Sequence, residues 1–198
     1  MIKVCIADNY PVVHYGVKSY FKDHAEISIV ANVGNFLMVR DILQTKDIDV
    51  LVLDLELEGL SSIFEVKSLL KSFPKTKIIL YSGLSEQIYA PNAIKAGVSG
   101  FVHKTEKLET LGLSIIKVHQ GKIIMNETVK KNLALIAKQN KSERLYRKLS
   151  NREIEVLRYL SNGKKNNEIS TILGLNEKTI STYKLRLLTK LNVTNLVD

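Results

Sequence analysis

The sequence is poor in the residues on which disulfide-bonded and zinc-binding folds depend. It has one cysteine, Cys5, among 198 residues, so neither a disulfide within the chain nor a multi-cysteine zinc framework is possible. Cys5 lies in the apolar run at residues 4–7, and we expect a buried structural thiol there. The histidines show no metal-ligand spacing with one another, and we expect surface or interface positions for His14, His24, His103 and His119.

Long apolar runs are also absent. A membrane-spanning helix needs roughly 18 or more predominantly apolar residues, and no run in the sequence comes near that length. Residues 1–5 lack the apolar stretch that is typical of a signal peptide. We therefore expect a cytoplasmic protein without a membrane segment. Internal repeats and low-complexity segments are absent as well.

Positive charge is distributed unevenly along the chain. Residues 1–121 carry 13 lysines and arginines against 13 acidic residues, whereas residues 122–198 carry 16 against 7, which is the whole net charge of +9. A basic module beside a neutral one is typical of nucleic-acid binding, because neutralised phosphates supply most non-specific affinity. A solvated basic face or a membrane-surface patch gives the same count, so charge alone leaves these alternatives open.

The first 121 residues alternate between short apolar runs and helical patterns. Such alternation, with nearly continuous apolar strands, favours a parallel sheet covered by helices on both faces. Five strand–helix units in this length predict a flavodoxin-like, doubly wound α/β domain over residues 1–121. The predicted strands are residues 4–7, Ile27–Val33, Val50–Leu53, residues 78–81 and Gly100–His103.

The rest of the chain has a different organisation. Residues 122–148 end in a polar, charged stretch and are predicted to form a linker. Residues 149–198 are predicted to form an all-α domain, whose first helix starts at a capping box of Ser150 and Glu153. A second helix over about residues 166–173, with Ile169, Ile172 and Leu173 inward, and a third starting near Asn176 have the spacing of a helix-turn-helix.

Two acidic residues fall at the carboxyl ends of predicted strands. Asp8 follows the first strand and Asp54 the third, and in a doubly wound sheet both lie at the edge where ligands bind. Such a pair invites a hard cation such as Mg²⁺, while Lys104 and Ser82 complete the rim. This set suits phosphoryl transfer onto a carboxylate. Taken singly, Asp8 has the alternative of a helix N-cap, and Lys104 that of a surface lysine.

These segments resemble the receiver domain of two-component response regulators. The resemblance rests on residues 7–11 (ADNYP), Leu53-Asp54, Tyr81-Ser82 and residues 100–104 (GFVHK), and covers about residues 2–120. It implies that Asp54 accepts a phosphoryl group from a sensor histidine kinase, that Lys104 contacts this group, and that Ser82 and Phe101 relay the switch. The expected Mg²⁺ set is Asp8, Asn9, Asp54 and Glu56. The family usually has a second acid at the position of Asn9, so we expect weaker Mg²⁺ binding here.

The C-terminal residues resemble the DNA-binding domain of NarL/LuxR (FixJ) regulators, especially the BvgA/EvgA branch. The resemblance rests on residues 149–157 (LSNREIEVL), Gly163, Asn167-Glu168-Ile169 and residues 178–184 (KTISTYK). It implies that the third helix binds double-stranded DNA through Lys178, Thr179, Ser181, Thr182 and Lys184. A homodimer is expected, at least in the active state. The family continues into a fourth helix that commonly forms the dimer contact, and the present sequence stops at Asp198, which leaves that contact open.

Three functions remain after this reading of the residues. The leading prediction is a DNA-binding response regulator, not an enzyme, that is controlled by phosphorylation of Asp54. The second is a phosphorylation-independent regulator with a degenerate receiver, which Asn9 favours. The third is an aspartyl-phosphate phosphohydrolase, because Asp54-Leu55-Glu56 faintly resembles its nucleophile and acid pair.

Overall fold

The computed structural model describes residues 1–127, 129–130 and 149–191. The chain divides into two compact units with the boundary after Leu135. Within the described residues, no helix has both the length and the apolar character required to cross a bilayer.

The first unit is built on a five-stranded sheet in which every pairing is parallel. The strand order β2-β1-β3-β4-β5 is that of flavodoxin-like folds, so the predicted fold class is confirmed. The strands are β1 Ile2–Ala7, β2 Ile27–Val33, β3 Val50–Leu53, β4 Lys77–Ser82 and β5 Gly100–His103.

Helices cover both faces of this sheet because its strands are apolar on both sides. Val17 from the first helix, Phe21 directly after that helix and Ile115 from the last helix pack on one face, and the remaining three helices cover the other. Cys5 is fully buried in the core on the face that these three helices cover. Burial raises the pKa of its thiol to about 12, as expected for a structural cysteine. The helices are α1 Pro11–Tyr20, α2 Phe36–Thr45, α3 Ile63–Ser72, α4 Glu86–Ala96 and α5 Leu108–His119.

The first residues of the predicted linker pack against the first unit. The main chain of Ile124 bonds to both Ser99 and Phe101 beside β5, and Val129 is fully buried in the core. Glu86, in the first turn of α4, accepts hydrogen bonds from the main-chain and side-chain nitrogens of Asn126 at 2.7 and 2.8 Å. Residues 131–148, which make up the rest of the predicted linker, lie outside the described residues.

The second unit contains the three predicted helices, α6 Asn151–Ser161, α7 Asn166–Leu173 and α8 Glu177–Leu191. The capping box of Ser150 and Glu153 is confirmed. Gly174 ends α7 with a φ of 62°, a left-handed conformation that glycine adopts without strain. Ile169 and Leu173 are buried, but the prediction that Ile172 faces inward is wrong, because its position on α7 is turned to solvent. Residues 192–198 lie outside the described residues.

Candidate functional site

Asp8 and Asp54 meet at the carboxyl edge of the sheet because β1 and β3 are neighbouring parallel strands. The main-chain nitrogen of Asp54 donates to the carbonyl of Ala7 at 2.9 Å, which holds the two strand ends together. Asp54 is 1% exposed and Asp8 is 2% exposed. Two carboxylates that are shielded from water in this way need a compensating positive charge.

Lys104 supplies that charge. Its ammonium nitrogen lies 2.7 Å from an oxygen of Asp8 and 2.7 Å from an oxygen of Asp54. Burial by itself lowers the pKa of Lys104, but the hydrogen bonds to Asp54 and Asp8 outweigh it and raise this pKa above its usual value. Lys104 therefore stays protonated and bridges the two acids, at the place where the sequence predicted a phosphoryl contact.

Asn9 holds the loop after β3 through both ends of its amide. Its Nδ2 donates to the carbonyl of Glu56 at 2.6 Å, and its Oδ1 accepts from the main-chain nitrogen of Glu58 at 2.7 Å. The main-chain nitrogen of Glu56 donates to Oδ1 of Asp54 at 3.2 Å, whereas the Glu56 side chain is exposed. Glu56 therefore contacts both Asn9 and Asp54 through its main chain.

The donor set of this pocket fits Mg²⁺ only in part. Two carboxylates and a main-chain carbonyl are oxygen ligands of the kind that Mg²⁺ prefers. In the part of the chain that the structure describes, no three histidine, cysteine, aspartate or glutamate side chains come together as a metal cluster. The amide of Asn9 also competes for the carbonyl, so a cation must displace the Asn9–Glu56 hydrogen bond or share that oxygen.

Ser82 and Phe101, the predicted relay residues, lie on the strands next to the pocket. Ser82 ends β4 and is fully buried, and its hydroxyl accepts from the main-chain nitrogen of Leu84 at 3.4 Å. Its carbonyl accepts from the main-chain nitrogen of Lys104 at 3.0 Å. Phe101 is buried in the same core layer as Ala90 of α4. The pair thus connects the pocket to α4 through packed neighbours.

His103 is a part of this region that the sequence reading missed. Its Nε2 lies 3.0 Å from the carbonyl of Gly83, after β4, and its Nδ1 lies 2.7 Å from the hydroxyl of Thr105, after β5. The neutral ring with its proton on Nε2 satisfies both contacts. His103 is half-buried and links the loops after β4 and β5 at the pocket rim, which agrees with the expectation of a surface or interface position. Its place directly before Lys104 was the available signal.

The second unit orients α8 through a buried ion pair. Glu153 of α6 is buried, and its carboxylate lies 2.7 Å from the ammonium of Lys190 near the end of α8. Burial raises the pKa of Glu153, but hydrogen bonds from Lys190 and Ser150 outweigh it and lower this pKa below its usual value. With Ile180 and Leu187 packed inward, this pair fixes which face of α8 is turned to solvent.

The predicted DNA-facing residues differ in exposure. Lys178, Ser181 and Thr182 are exposed, whereas Thr179 and Lys184 are half-buried. Asn176 accepts a hydrogen bond from the main-chain nitrogen of Lys178 at 2.9 Å, which confirms it as the cap that starts α8. Leu185, which the sequence reading did not single out, directly follows Lys184 and is 66% exposed.

Two family models together match most of the chain. Residues 4–116 match the response regulator receiver domain, and residues 147–198 match the bacterial regulatory proteins of the luxR family. Each match coincides with one group of site residues, the first with the Asp54 pocket and the second with α8.

Curated proteins and solved structures show the same combination. The Fimbriae Z protein of Salmonella typhimurium is 32% identical over 98% of this chain and 92% of its own length. BvgA of Bordetella pertussis, a putative positive transcription regulator of virulence factors, is 30% identical over 99% of this chain and 93% of its own. RcsB from Salmonella enterica serovar Typhimurium, in a structure bound to promoter P1flhDC with the phosphomimetic BeF3⁻, superposes with a TM-score of 0.81 at 25% identity, over 99% of this chain and 95% of RcsB. The chain therefore belongs to the NarL/LuxR family of two-component response regulators, which join a receiver domain to a LuxR-type helix-turn-helix DNA-binding domain.

Proposed function

We propose that Asp54 accepts a phosphoryl group from a sensor histidine kinase and that this modification changes the affinity of α8 for duplex DNA. The contact that carries the proposal is the ammonium of Lys104 at 2.7 Å from Asp54. In the transfer, an Asp54 oxygen bonds to phosphorus as the bond between phosphorus and the donor atom breaks. Lys104 is placed to offset the charge on the transferred oxygens.

Mg²⁺ is the cofactor that this pocket would take. Asp8, Asp54 and the carbonyl of Glu56 would hold it, and Asn9 would contribute an amide oxygen only after turning away from Glu58. A bound divalent cation supplies electrostatic stabilisation of the charge on the phosphoryl oxygens. Because Asn9 carries no charge, we expect the site to bind Mg²⁺ weakly.

The proposed partners are duplex DNA, which the basic second unit would bind, and a second copy of this chain. Lys178, with the exposed hydroxyl residues Ser181 and Thr182, forms the DNA-facing surface of α8, and Thr179 and Lys184 flank it. RcsB has been solved as two dimers bound to two parallel DNAs, and we propose a homodimer for the active form of this chain as well. We place the protein in the bacterial cytoplasm, where a kinase and DNA are both accessible. For its domains we propose a receiver at 1–121, a linker at 122–148 and a DNA-binding domain at 149–198.

Asn9 favours a second candidate function, a regulator that binds DNA without phosphorylation. Its hydrogen bonds to the main chains of Glu56 and Glu58 brace the loop beside Asp54 without a cation. The phosphohydrolase alternative gains no such support, because the Glu56 side chain is exposed and does not face Asp54 as a buried acid. The curated relatives include proteins whose names are those of transcription regulators, one from Pseudomonas aeruginosa and BvgA.

Intact-protein mass spectrometry tests the proposal directly. Full-length protein incubated with acetyl phosphate and Mg²⁺ is expected to gain one phosphoryl group. Asp54→Asn should abolish the gain, because the acceptor oxygen is replaced by an amide nitrogen. Asp47→Asn is the matched control, since Asp47 is a surface aspartate that is 96% exposed.

Two results would contradict the proposal. A phosphoryl group that persists in Asp54→Asn places the acceptor elsewhere. A wild-type protein that takes up no phosphoryl group at any Mg²⁺ concentration, but still binds duplex DNA, supports the phosphorylation-independent regulator instead.

A further inference from the structure

The exposed face of α8 has an apolar centre. Lys178, Ser181, Thr182 and Leu185 stand at helical steps of three, four and seven residues, so they share one face. All four are exposed, and Leu185 is 66% exposed, although every other leucine on α8 is at least half-buried. A single exposed leucine is ordinary on a protein surface. Leu185, however, lies near the middle of α8 and continues the face of Lys178, Ser181 and Thr182 by one turn.

The hydroxyl groups on this face are already engaged within the protein. Ser181 donates to the carbonyl of Glu177 at 3.2 Å, and Thr182 donates to the carbonyl of Lys178 at 3.0 Å. The Ser181 oxygen also accepts from Asn166 of α7 at 3.2 Å. The hydroxyl protons of Ser181 and Thr182 therefore have protein acceptors, which leaves the leucine side chain and the threonine methyl as the groups with no polar partner to lose.

Base pairs differ in the apolar groups that they present to such a face. Only thymine displays a methyl group in the major groove, at C5, and apolar side chains and the threonine methyl contact it. The lysine on the same face, Lys178, suits phosphates or guanine edges instead. Thymine is therefore the base that an apolar side chain such as Leu185 recognises best.

We propose that Leu185, together with Thr182, is a specificity-determining residue that contacts the C5-methyl group of a thymine in each half-site. The proposal rests on the proposed DNA-binding function and adds to it the class of base that the centre of α8 reads. The preferred DNA site then contains a thymine at the position that faces Leu185. Lys178 contributes affinity on the same face, and Leu185 contributes the choice of base.

Selection from a random duplex library tests this with the full chain. Wild type, Leu185→Ala and Leu113→Ala are each used to enrich binding sequences. Leu113 is a leucine on α5 of the receiver that is 57% exposed, and it serves as the matched control. Leu185→Ala should lose its preference for thymine at one position of each half-site and keep the others, whereas Leu113→Ala should give the wild-type motif.

A second measurement isolates the methyl group. Each thymine of the selected duplex is replaced in turn by uracil, which lacks only the C5-methyl group. For wild type we expect Kd to rise roughly fourfold at the contacted thymine, the effect of losing one buried methyl-sized contact. For Leu185→Ala the same replacement should have little further effect, while other thymines behave alike in both proteins.

The outcomes separate the two proposals. If wild type enriches no sequence from the library, the DNA-binding function and this inference both fail. If wild type enriches a motif that Leu185→Ala reproduces with unchanged sensitivity to uracil, the inference alone fails. Circular dichroism checks that Leu185→Ala keeps its helices, as its exposure leads us to expect.

Discussion

The Asp54 pocket of the receiver and the exposed face of α8 handle charge in opposite ways. The receiver buries Asp8 and Asp54 and neutralises them with Lys104, whereas the second unit turns Lys178 and Arg186 of α8 to solvent. Buried charges interact strongly and are little screened by salt, while exposed charges are weak individually and depend on ionic strength. A covalent modification site is served by buried charges in a fixed geometry. Reversible binding to a polyanion such as DNA is served by exposed charges.

This contrast determines what single substitutions do. In the receiver pocket, removing the charge of Lys104 leaves two buried carboxylates without this partner, so the free energy of unfolding falls. On the exposed face of α8, removing one charge changes DNA binding and leaves the fold intact.

Lys104→Met should cause the largest loss of stability. It leaves Asp8 and Asp54 as uncompensated buried carboxylates, and we expect a cost of about 3 kcal/mol in the receiver. Native-state hydrogen exchange at the amides of β3, followed with increasing urea, measures this unit separately from the other. Lys95→Met, at an exposed position on α4, is the control. Equal exchange rates in the two variants would show that the bridge contributes nothing to stability.

Glu153→Gln tests the buried ion pair between α6 and α8 in the second unit. Losing its charged hydrogen bonds to Lys190 and Ser150 should cost about 2 kcal/mol. Because the pKa of Glu153 is lowered in the folded state, its contribution is present above the ordinary value of 4.5 and is lost as pH falls through the folded pKa. Hydrogen exchange at the amides of α6 between pH 7 and pH 3.5 measures this loss of stability. Glu177→Gln, at an exposed position at the start of α8, is the control. If the stability of α6 depends on pH in Glu153→Gln as it does in wild type, this dependence comes from other groups.

Asn9→Asp should strengthen Mg²⁺ binding. The added charge completes an acidic set, and the amide donor that competes for the Glu56 carbonyl is removed. We expect at least a roughly tenfold lower Kd, the smallest change that altered metal ligands or their partners commonly cause. Titration with Mg²⁺, followed by NMR shifts near Asp54, gives the value. An unchanged Kd would mean that the carbonyl of Glu56 is not part of the site.

Lys178→Ala should weaken duplex binding with no effect on folding. The slope of log K against log salt should fall by about one unit, as for a lysine that contacts a phosphate. Lys184→Ala should change it less, because Lys184 is half-buried and Lys178 is exposed. Fluorescence anisotropy at several salt concentrations measures both slopes, with Lys117→Ala on the receiver as the control. A larger effect at Lys184 would place a different face of α8 on DNA.

The sequence predicted most of the fold because its signals are local. Apolar runs marked all five strands, and Gly174 together with Asn176 marked the turn before α8 to within a residue. Asp54 was identifiable because a carboxylate directly after four buried residues is rare without a function. Its neighbours Asp8 and Lys104 followed from the rule that parallel strands end at the same edge of a sheet.

Contacts between distant residues could not be read in this way. The two hydrogen bonds of Asn9 depend on how the loop after β3 folds back, and the sequence shows only that an acid is replaced. The bonds of Asn126 to Glu86 join residues 40 positions apart and attach the start of the predicted linker to α4. Ile172 was misplaced because a helix of eight residues leaves its apolar face poorly defined by periodicity alone.

The central claim is that the state of Asp54 governs the affinity of α8 for DNA. It is tested most directly by titrating a selected duplex with the full chain, with and without BeF3⁻ and Mg²⁺, for wild type and Asp54→Asn. We predict that BeF3⁻ changes the Kd of wild type and leaves that of Asp54→Asn unaltered. An identical Kd for wild type under both conditions, with BeF3⁻ bound at Asp54 by NMR, would contradict the claim.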